Sequence, residues 1–182
     1  MKVRDLCTRS VRTCGPGSSL ADAGWAMWEG DCGILPIVDG ENRVLGVITD
    51  RDICMAVVTK ALPASQISAQ DVSGGHLHSC KLDDDVKLAL ATMRSQGVRR
   101  LPVVDGEGKL KGILSLNDVT LAAPRGDLAR KRGATDEDLI PTLQAVCAHR
   151  KLERDVEWRV PQEPDRARAT FSTAAATQGN RD

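Results

Sequence analysis

Apolar and polar residues follow the same order of patterns twice along this chain. Val11–Cys14 and Leu77–Cys80 are read as short extended runs, the first ended by Gly15-Pro16. After each run, apolar residues recur every three or four positions, which is the spacing of a helix with one buried face. These helices follow Ser18–Ser19 and Asp84–Asp85, and both residue types are favoured at a helix N-cap. The pattern therefore predicts a strand and an amphipathic helix at the start of each half.

The second part of each half predicts a hairpin and a further helix. Leu35–Val38 and Leu101–Val104 are dense in β-branched residues, and each precedes an Asp-Gly turn signal and a second apolar run. A final helix is expected to begin near Asp52 in the first half and near Asp118 in the second. Each half is therefore read as β-α-β-β-α.

The two halves are copies of one sequence unit. Leu35–Glu41 returns as Leu101–Glu107, and Gly46–Thr49 returns as Gly112–Ser115, each 66 positions later. A fixed internal period is the signature of a repeat architecture. One unit of about 60 residues buries little surface alone, so we expect the copies to pack face to face, with any ligand between them.

The chain beyond the repeats predicts one more helix and then a polar tail. We place repeat 1 at residues 1–62, repeat 2 at 63–123, a linker and C-terminal helix at 124–152, and a tail at 153–182. The helix begins at Thr135 or Asp136, and it should cover an apolar edge of the repeats or a dimer partner. Its apolar stripe consists of Leu139, Leu143, Val146 and Cys147. The tail is charged and then rich in Ala, Thr and Gln, so we expect it to be disordered.

Composition and charge exclude several function classes. Lys plus Arg and Asp plus Glu number 25 each, so no net charge favours a nucleic acid or an anionic membrane. No apolar run is long enough to span a bilayer, and the first residues lack the apolar stretch of a signal peptide, so we expect a cytoplasmic protein. The six cysteines form no C-x-x-C pair and are expected to be buried free thiols.

The repeated motifs resemble those of the CBS (cystathionine-β-synthase-type) domain family. The resemblance rests on the order V-x-T, amphipathic helix, G-V-R-R-L-P-V-V-D and K-G-I-L-S-x-x-D, and it spans roughly residues 3 to 123. It implies an α/β fold of the α+β kind, in which two repeats pack as a pseudo-twofold disc with two clefts. It further implies that the clefts bind AMP, ADP, ATP or a related adenosyl ligand. We found no P-loop, G-x-S-x-G or G-x-G-x-x-G motif, so we expect a regulatory module and not an enzyme.

The resemblance also implies which residues hold a nucleotide. The Asp that closes an S/T-x-x-D turn bonds the ribose, and here these are Asp52 after Thr49 and Asp118 after Ser115. A carboxylate suits that role because it accepts hydrogen bonds from two hydroxyls at once. The other positions implied along the strands and next to adenine are Arg12, Cys32, Gly33, Ile34, His78, Val98 and Ile113.

The phosphate-binding positions differ between the repeats. Arg99–Arg100 precede Leu101 in the second repeat, where the first has Gly33–Ile34. Arginine presents a fork of donors that matches phosphate oxygens. We therefore expect one competent site, formed by Asp118, Ser115 and the two arginines together with Arg12 and Cys32–Ile34. The mirror site around Asp52 and Thr49 would depend on Arg51 or on the shared Arg99.

Less specific interpretations compete with these assignments. Asp52 and Asp118 are also favoured helix N-caps, and Arg99–Arg100 could be an ordinary solvated pair. His76, His78 and Cys80 would share one face of a strand, a spacing compatible with a transition metal.

At the level of the whole protein, the proposed function is a nucleotide sensor that works as a homodimer and modulates a partner. The main alternative is a dimerisation scaffold without ligand, and a metal or redox sensor built on the histidines and cysteines is weaker. Trp25 and Trp28 of the first helix are expected in the core or on a dimer face.

Overall fold

Each half of the chain forms the two helices and the hairpin that its pattern predicts. The computed structural model describes residues 1–73, 77–122 and 136–147. The first half contains α1 (Leu20–Glu29), β1 (Ile34–Val38), β2 (Val44–Thr49) and α2 (Asp50–Lys60). The second half contains β3 (Cys80–Lys81), α3 (Val86–Gln96), β4 (Arg100–Val104), β5 (Leu110–Ser115) and α4 (Leu116–Ala122), and α5 (Asp136–Cys147) follows.

The helix starts follow side-chain capping. Ser19 caps α1 by accepting from the backbone N–H of Asp22, and Asp85 caps α3 by accepting from that of Lys87. Helix α2 begins at Asp50, two residues before the predicted position, because Thr49 is its N-cap. Asp52 is therefore in the first turn of the helix.

The sheets contain the two predicted hairpins. Strands β1 and β2 are antiparallel, as are β4 and β5, while β3 runs parallel to β4. The first strand of each repeat is shorter than predicted. In repeat 1 only Cys14 of the predicted strand pairs, in a parallel bridge to Ile37. The equivalent strand of repeat 2 has only the two residues of β3.

Each hairpin turn is closed by an aspartate. Oδ1 of Asp105 accepts hydrogen bonds from the backbone N–H groups of Glu107 and Lys109, both at 2.9 Å. A side-chain hydrogen bond from Lys111 and these backbone bonds hold the pKa of Asp105 at about 2. The position with left-handed backbone is not the Gly of the Asp-Gly pair but Gly108, with φ of 79°. Asn42 occupies the equivalent position in repeat 1, with φ of 63°.

The repeats exchange their leading segments. The start of the chain packs in the core of repeat 2, to which Val3 and Cys7 belong. The segment after α2 packs in the core of repeat 1, to which Ile67 and Ala69 belong. Matching backbone hydrogen bonds hold both segments: Val86 N–H to Met1 O at 3.1 Å and Val3 N–H to Asp84 O at 3.0 Å, and Leu20 N–H to Ile67 O at 2.9 Å and Ala69 N–H to Ser18 O at 2.8 Å. The exchange follows the 66-residue period, so the repeats are related by a pseudo-twofold.

The tips of the two hairpins also bind each other. Leu110 donates to the carbonyl of Asn42 at 2.9 Å, and Val44 donates to the carbonyl of Gly108 at 3.0 Å. Below these bonds Val44, Val104 and Leu110 form a small buried cluster. The repeats therefore meet through backbone and apolar contacts at their turns.

Helix α5 packs on α3 of repeat 2. Leu139 joins the core of that repeat, and Val146 packs against it. The predicted apolar stripe is only partly correct, because Leu143 is 37% exposed and Thr142 is buried instead, with its hydroxyl bonded to the carbonyl of Asp138. The predicted disordered tail lies outside the described residues. None of the described helices has the length and apolar character needed to cross a membrane.

Candidate functional site

The two S/T-x-x-D turns have the same geometry. In repeat 2, Oδ2 of Asp118 accepts from the backbone N–H of Ser115 at 2.8 Å and from its hydroxyl at 2.7 Å. In repeat 1, Oδ2 of Asp52 accepts from Thr49 in the same way, at 3.0 and 2.7 Å. Asp52 is therefore the N3 residue of a capping box whose N-cap is Thr49, and Asp118 repeats its contacts, so both aspartates take part in capping without being the N-cap itself. Oδ1 of each accepts no hydrogen bond from the described residues and is left for another donor.

The arginine pair of repeat 2 lies beside its turn. Arg100 is directly opposite Ser115 in the β4–β5 ladder, and the carbonyl of Arg99 accepts from the N–H of Leu116 at 2.9 Å. Arg99 is exposed and Arg100 is half-buried. Neither guanidinium pairs with a carboxylate in the part of the chain that the structure describes. Two unpaired cations thus lie next to the half-buried Ser115 and Asp118.

In repeat 1, an acidic side chain lies at the position that corresponds to the arginine pair of repeat 2. Ile34 lies opposite Thr49, as Arg100 lies opposite Ser115. A Cβ added to Gly33 would be 2.8 Å from Oδ2 of Asp50, so this carboxylate closes over the position equivalent to Arg99. Sequence reasoning missed Asp50, although the 66-residue period pairs it with the buried Leu116 and would have revealed the difference.

A segment from the first repeat runs beside β5. The backbone of Thr8 exchanges two hydrogen bonds with Ile113, both at 2.9 Å. A Cβ on Gly112 would be 2.6 Å from the carbonyl oxygen of Thr8, so glycine permits this close approach. Arg12 follows four residues later and can be at most about 14 Å from Thr8 along the chain. The leading segment of the chain therefore lies beside β5, while the Arg12 side chain contacts Glu29 of repeat 1.

The predicted adenine-facing positions differ in their contacts. The backbone groups of Arg12 and His78 form no hydrogen bond within the described residues, which leaves them free to face a ligand. The Arg12 side chain, however, is 2.9 Å from Glu29 and is not a free cation. Cys32 and Val98 each donate a backbone bond to the preceding helix, to Met27 and Met93.

No hydrogen bond or ion pair among the described residues joins Arg12 or Cys32–Ile34 to Ser115, Asp118 or the two arginines. Arg99, Arg100, Ser115 and Asp118 form one group, and Gly33, Ile34, Thr49, Asp50 and Asp52 form another. The assignment of Arg12 and Cys32–Ile34 to the same ligand as Asp118 therefore stays a prediction.

The described cysteines and histidines do not form a cluster that could coordinate a metal ion. Burial raises the pKa of Cys7 and Cys14, and it raises that of Cys80 to about 12, so these thiols are protonated near neutral pH. Cys54 is exposed, contrary to the expectation of buried thiols, because its position on α2 faces away from Ala56 and the core. Within residues 1–73, 77–122 and 136–147, no three potential ligands cluster to hold a metal ion. His76 lies outside these ranges.

Comparisons with known proteins agree with the repeat. A family model for the CBS domain matches residues 3–59 and again residues 69–125. An uncharacterized 17.7 kDa protein of Acidianus ambivalens is 35% identical over 123 residues, which are 66% of this chain and 72% of that protein.

Two solved structures have the same fold. Hypoxic response protein 1 of Mycobacterium tuberculosis is 29% identical over 80% of this chain and 93% of its own. The crystal structure of Hypoxic Response Protein I, with two coordinated zinc ions, has a TM-score of 0.63 at 28% identity and covers 68% of this chain and all of that one. A CBS domain protein of Pyrobaculum aerophilum complexed with AMP has a TM-score of 0.62 at 22% identity, over 71% of this chain and 97% of that one. With two matched repeats, exchanged leading segments and paired capping turns, this chain belongs to the CBS domain family as a tandem pair.

Proposed function

We propose that this CBS pair is a regulatory module that binds an adenine nucleotide at the second repeat and passes its occupancy to a partner. The observation that carries the proposal is the pair of unpaired arginines beside the Ser115–Asp118 turn. Oδ1 of Asp118 is available for ribose hydroxyls, and Arg99 and Arg100 supply donors for phosphate. Charge-assisted bonds of this kind are about twice as strong as neutral ones.

The electrostatics of the two repeats favour one strong site. The same capping turn exists in repeat 1, so a ribose could bond Asp52 equally well. A phosphate there would meet the carboxylate of Asp50 over Gly33 instead of an arginine pair. The carboxylate would repel the phosphate, which raises the free energy of the complex. The phosphate would also lose hydrating water without gaining a cation. The first repeat should therefore bind phosphate-bearing ligands much more weakly.

The AMP-bound relative supports the choice of ligand class. The Pyrobaculum aerophilum protein, which shares this fold, is complexed with AMP. In this chain the best match for the phosphate of such a ligand is Arg99–Arg100. The predicted adenine-facing groups are the backbone of Arg12 and the stretch from Cys32 to Ile34.

Contacts between the repeats offer a route for regulation. A ligand at Ser115 and Asp118 lies at the end of β5, and β5 is bonded to Thr8 from the leading segment. Binding would therefore favour one spacing of β5 and this segment over another. Regulation requires that the ligand bind the two arrangements with different free energies, and the difference is the coupling transmitted to a partner. We also propose that the module acts as a homodimer.

Titration calorimetry on the full chain tests the proposal. The panel comprises AMP, ADP, ATP, adenosine, GMP, NAD, S-adenosylmethionine and a cyclic dinucleotide. We expect adenine nucleotides to bind with one strong site per chain and GMP to bind much more weakly. Two equal strong sites would contradict the assignment of the phosphate to repeat 2. No binding of any adenine compound would favour the alternative of a ligand-free dimerisation scaffold.

A further inference from the structure

A cavity lies between the two helices of repeat 1. It has a volume of about 440 Å³ and is found where α1 meets the start of α2, with Gly24 and Ile53 among its lining residues. A Cβ placed on Gly24 would be 3.9 Å from Cδ1 of Ile53, so the two helices are close there. The 66-residue period pairs these residues with Leu90 and Val119, which are both buried in the core of repeat 2. Repeat 1 thus has a glycine, and space beside it, where repeat 2 has a buried leucine.

An exposed indole forms one wall of the cavity. Trp28 lines it and is 78% exposed. Trp25, one helical turn earlier, is 65% exposed, so neither tryptophan lies in the core, which was one of the two places expected for them. The face of an indole is the strongest of the aromatic partners for a cation placed over it. Trp28 therefore offers one side of a cation site.

Two carboxylates line the same cavity without a cation paired to them. Asp31 lies in the loop after α1, and Asp50 is the first residue of α2. Oδ1 of Asp50 accepts a hydrogen bond from the backbone N–H of Arg51 at 2.7 Å, and Oδ2 lies over Gly33. Neither carboxylate forms an ion pair with another described residue. Their negative charge is therefore available to a ligand.

The equivalent positions of repeat 2 have the opposite charge. By the 66-residue period, the two acidic positions become Gly97 and Leu116, and the positions of the indole and of Gly33 become Arg94 and Arg99. At these four positions repeat 2 has two cations and no carboxylate, and repeat 1 has two carboxylates and no cation. Since unlike charges attract, an anionic group favours repeat 2 and a cationic group favours repeat 1.

We propose that the cavity of repeat 1 binds a small organic cation whose charge lies on a fully alkylated nitrogen, a quaternary ammonium group. The indole of Trp28 attracts the charge over its face, and the exposed Asp31 and Asp50 supply the opposite charge. The volume of the cavity is within the range of small-molecule sites, about 300–1,000 Å³. The inference goes beyond the nucleotide proposed for repeat 2 and does not depend on it.

The apolar part of the lining selects this class of cation. Met27 is buried and Ile53 is half-buried beside the cavity. A primary ammonium group carries three N–H donors and a guanidinium carries five, and donors that face apolar side chains lose hydrating water without replacing it. A quaternary ammonium group has no N–H donor, and its alkyl groups gain free energy by leaving water. The apolar lining and the unpaired carboxylates therefore both favour an alkylated cation.

Choline and a neutral analogue, in which a carbon atom replaces the charged nitrogen, provide the test. In a Trp25→Phe/Trp158→Phe chain, Trp28 is the only tryptophan, so its fluorescence reports on the cavity. We expect choline to change this emission saturably and to bind at least about fivefold more tightly than the neutral analogue. Higher ionic strength should weaken choline binding and hardly affect the analogue, since salt screens exposed carboxylates.

Conservative variants test the contribution of each group. Asp31→Asn/Asp50→Asn retains the shape of both side chains and should weaken choline binding about fivefold, because two charges near the cation are lost. The matched control is Glu41→Gln, which removes an exposed carboxylate at the tip of the β1–β2 hairpin and should leave choline binding unchanged. Trp28→Leu, followed by calorimetry, should weaken choline binding by a similar factor. Circular dichroism checks that each variant is folded.

The outcomes separate the cation site from the nucleotide site. Equal binding of choline and its neutral analogue would mean an apolar pocket without cation recognition and would overturn the proposal. Tighter binding of methylguanidinium than of choline would overturn it too, because hydrogen bonds to the carboxylates would then outweigh alkyl contacts. The absence of any saturable change with choline would do the same. Asp118→Ala should weaken AMP binding and leave choline binding unchanged, so each site can fail without the other.

Discussion

The two carboxylate oxygens of Asp118 are available for different tasks. Oδ2 closes the capping-box turn with Ser115 at the start of α4, while Oδ1 has no partner among the described residues. Capping and ribose binding are therefore compatible at one side chain. Asp52 has the same arrangement with Thr49, so the residue itself does not decide which repeat binds a nucleotide. The neighbouring charges make the difference in the proposed nucleotide binding. They are Arg99 and Arg100 in repeat 2 and Asp50 in repeat 1.

Substitution of the two aspartates separates their roles. We expect Asp118→Ala to weaken AMP binding by about tenfold or more, because it removes a charged acceptor from the ribose, and such a bond contributes about 1.5–3 kcal/mol. Asp52→Ala should change AMP binding little. Calorimetry with AMP measures the difference.

The Asp52 variant is also the control for folding. Each substitution removes the equivalent carboxylate of a capping box, and each should lower the free energy of unfolding by about 1 kcal/mol. Equal losses of AMP affinity in the two variants would contradict a single strong site.

At the level of elements, most of the fold could be predicted because helices and hairpins depend on local patterns. Ser19 and Asp85 mark helix starts by residue type alone, and Leu35–Val38 marks a strand by its β-branched content. The exchange of leading segments could not be predicted. Ile67 and Val3 are single apolar residues between polar neighbours, and only tertiary hydrogen bonds determine which core each one joins.

The crossing of the hairpin turns depends on Gly108. Its φ of 79° is unfavourable for a residue with a Cβ, and its carbonyl accepts the bond from Val44 of the other repeat. We expect Gly108→Ala to lower the free energy of unfolding by about 1–2 kcal/mol. Gly106→Ala, in the same turn but without a positive φ or close neighbour, should change it little. Urea denaturation of both variants measures the effect, and equal stabilities would show that the turn adjusts freely.

Helix α5 should stabilise repeat 2 through one side chain. Leu139 is 6% exposed in the core of that repeat, whereas the adjacent Ile140 is 52% exposed. We expect Leu139→Ala to cost about 2–5 kcal/mol, as core leucines do, and Ile140→Ala to cost much less. Chemical denaturation provides the measurement. A small effect of both changes would mean that α5 is bound only loosely to α3.

Across the whole molecule, the two repeats share the same backbone arrangement but differ in the charges beside their capping turns. The family resemblance implies two clefts, and the hydrogen bonds of Asp52 and Asp118 repeat closely. The chain has equal numbers of cationic and anionic side chains, yet the second repeat carries unpaired arginines where the first carries Asp50. The arginine pair was visible in the sequence. The closure of Asp50 over Gly33 depends on side-chain geometry and needed the structure.

This charge distribution predicts that the binding cleft distinguishes nucleotide from nucleoside. If Arg99 and Arg100 hold phosphate, AMP should bind at least about tenfold more tightly than adenosine, since each charge-assisted contact contributes about 1.5–3 kcal/mol. Arg99→Ala/Arg100→Ala should remove the preference and leave adenosine binding unchanged, because Asp118 is retained. Higher ionic strength should weaken AMP binding and hardly affect adenosine, since salt screens the exposed Arg99. Calorimetry of both ligands at two salt concentrations measures these effects. Equal binding of AMP and adenosine by the wild-type protein would mean that the arginines are ordinary surface charges and that the cleft recognises the nucleoside alone.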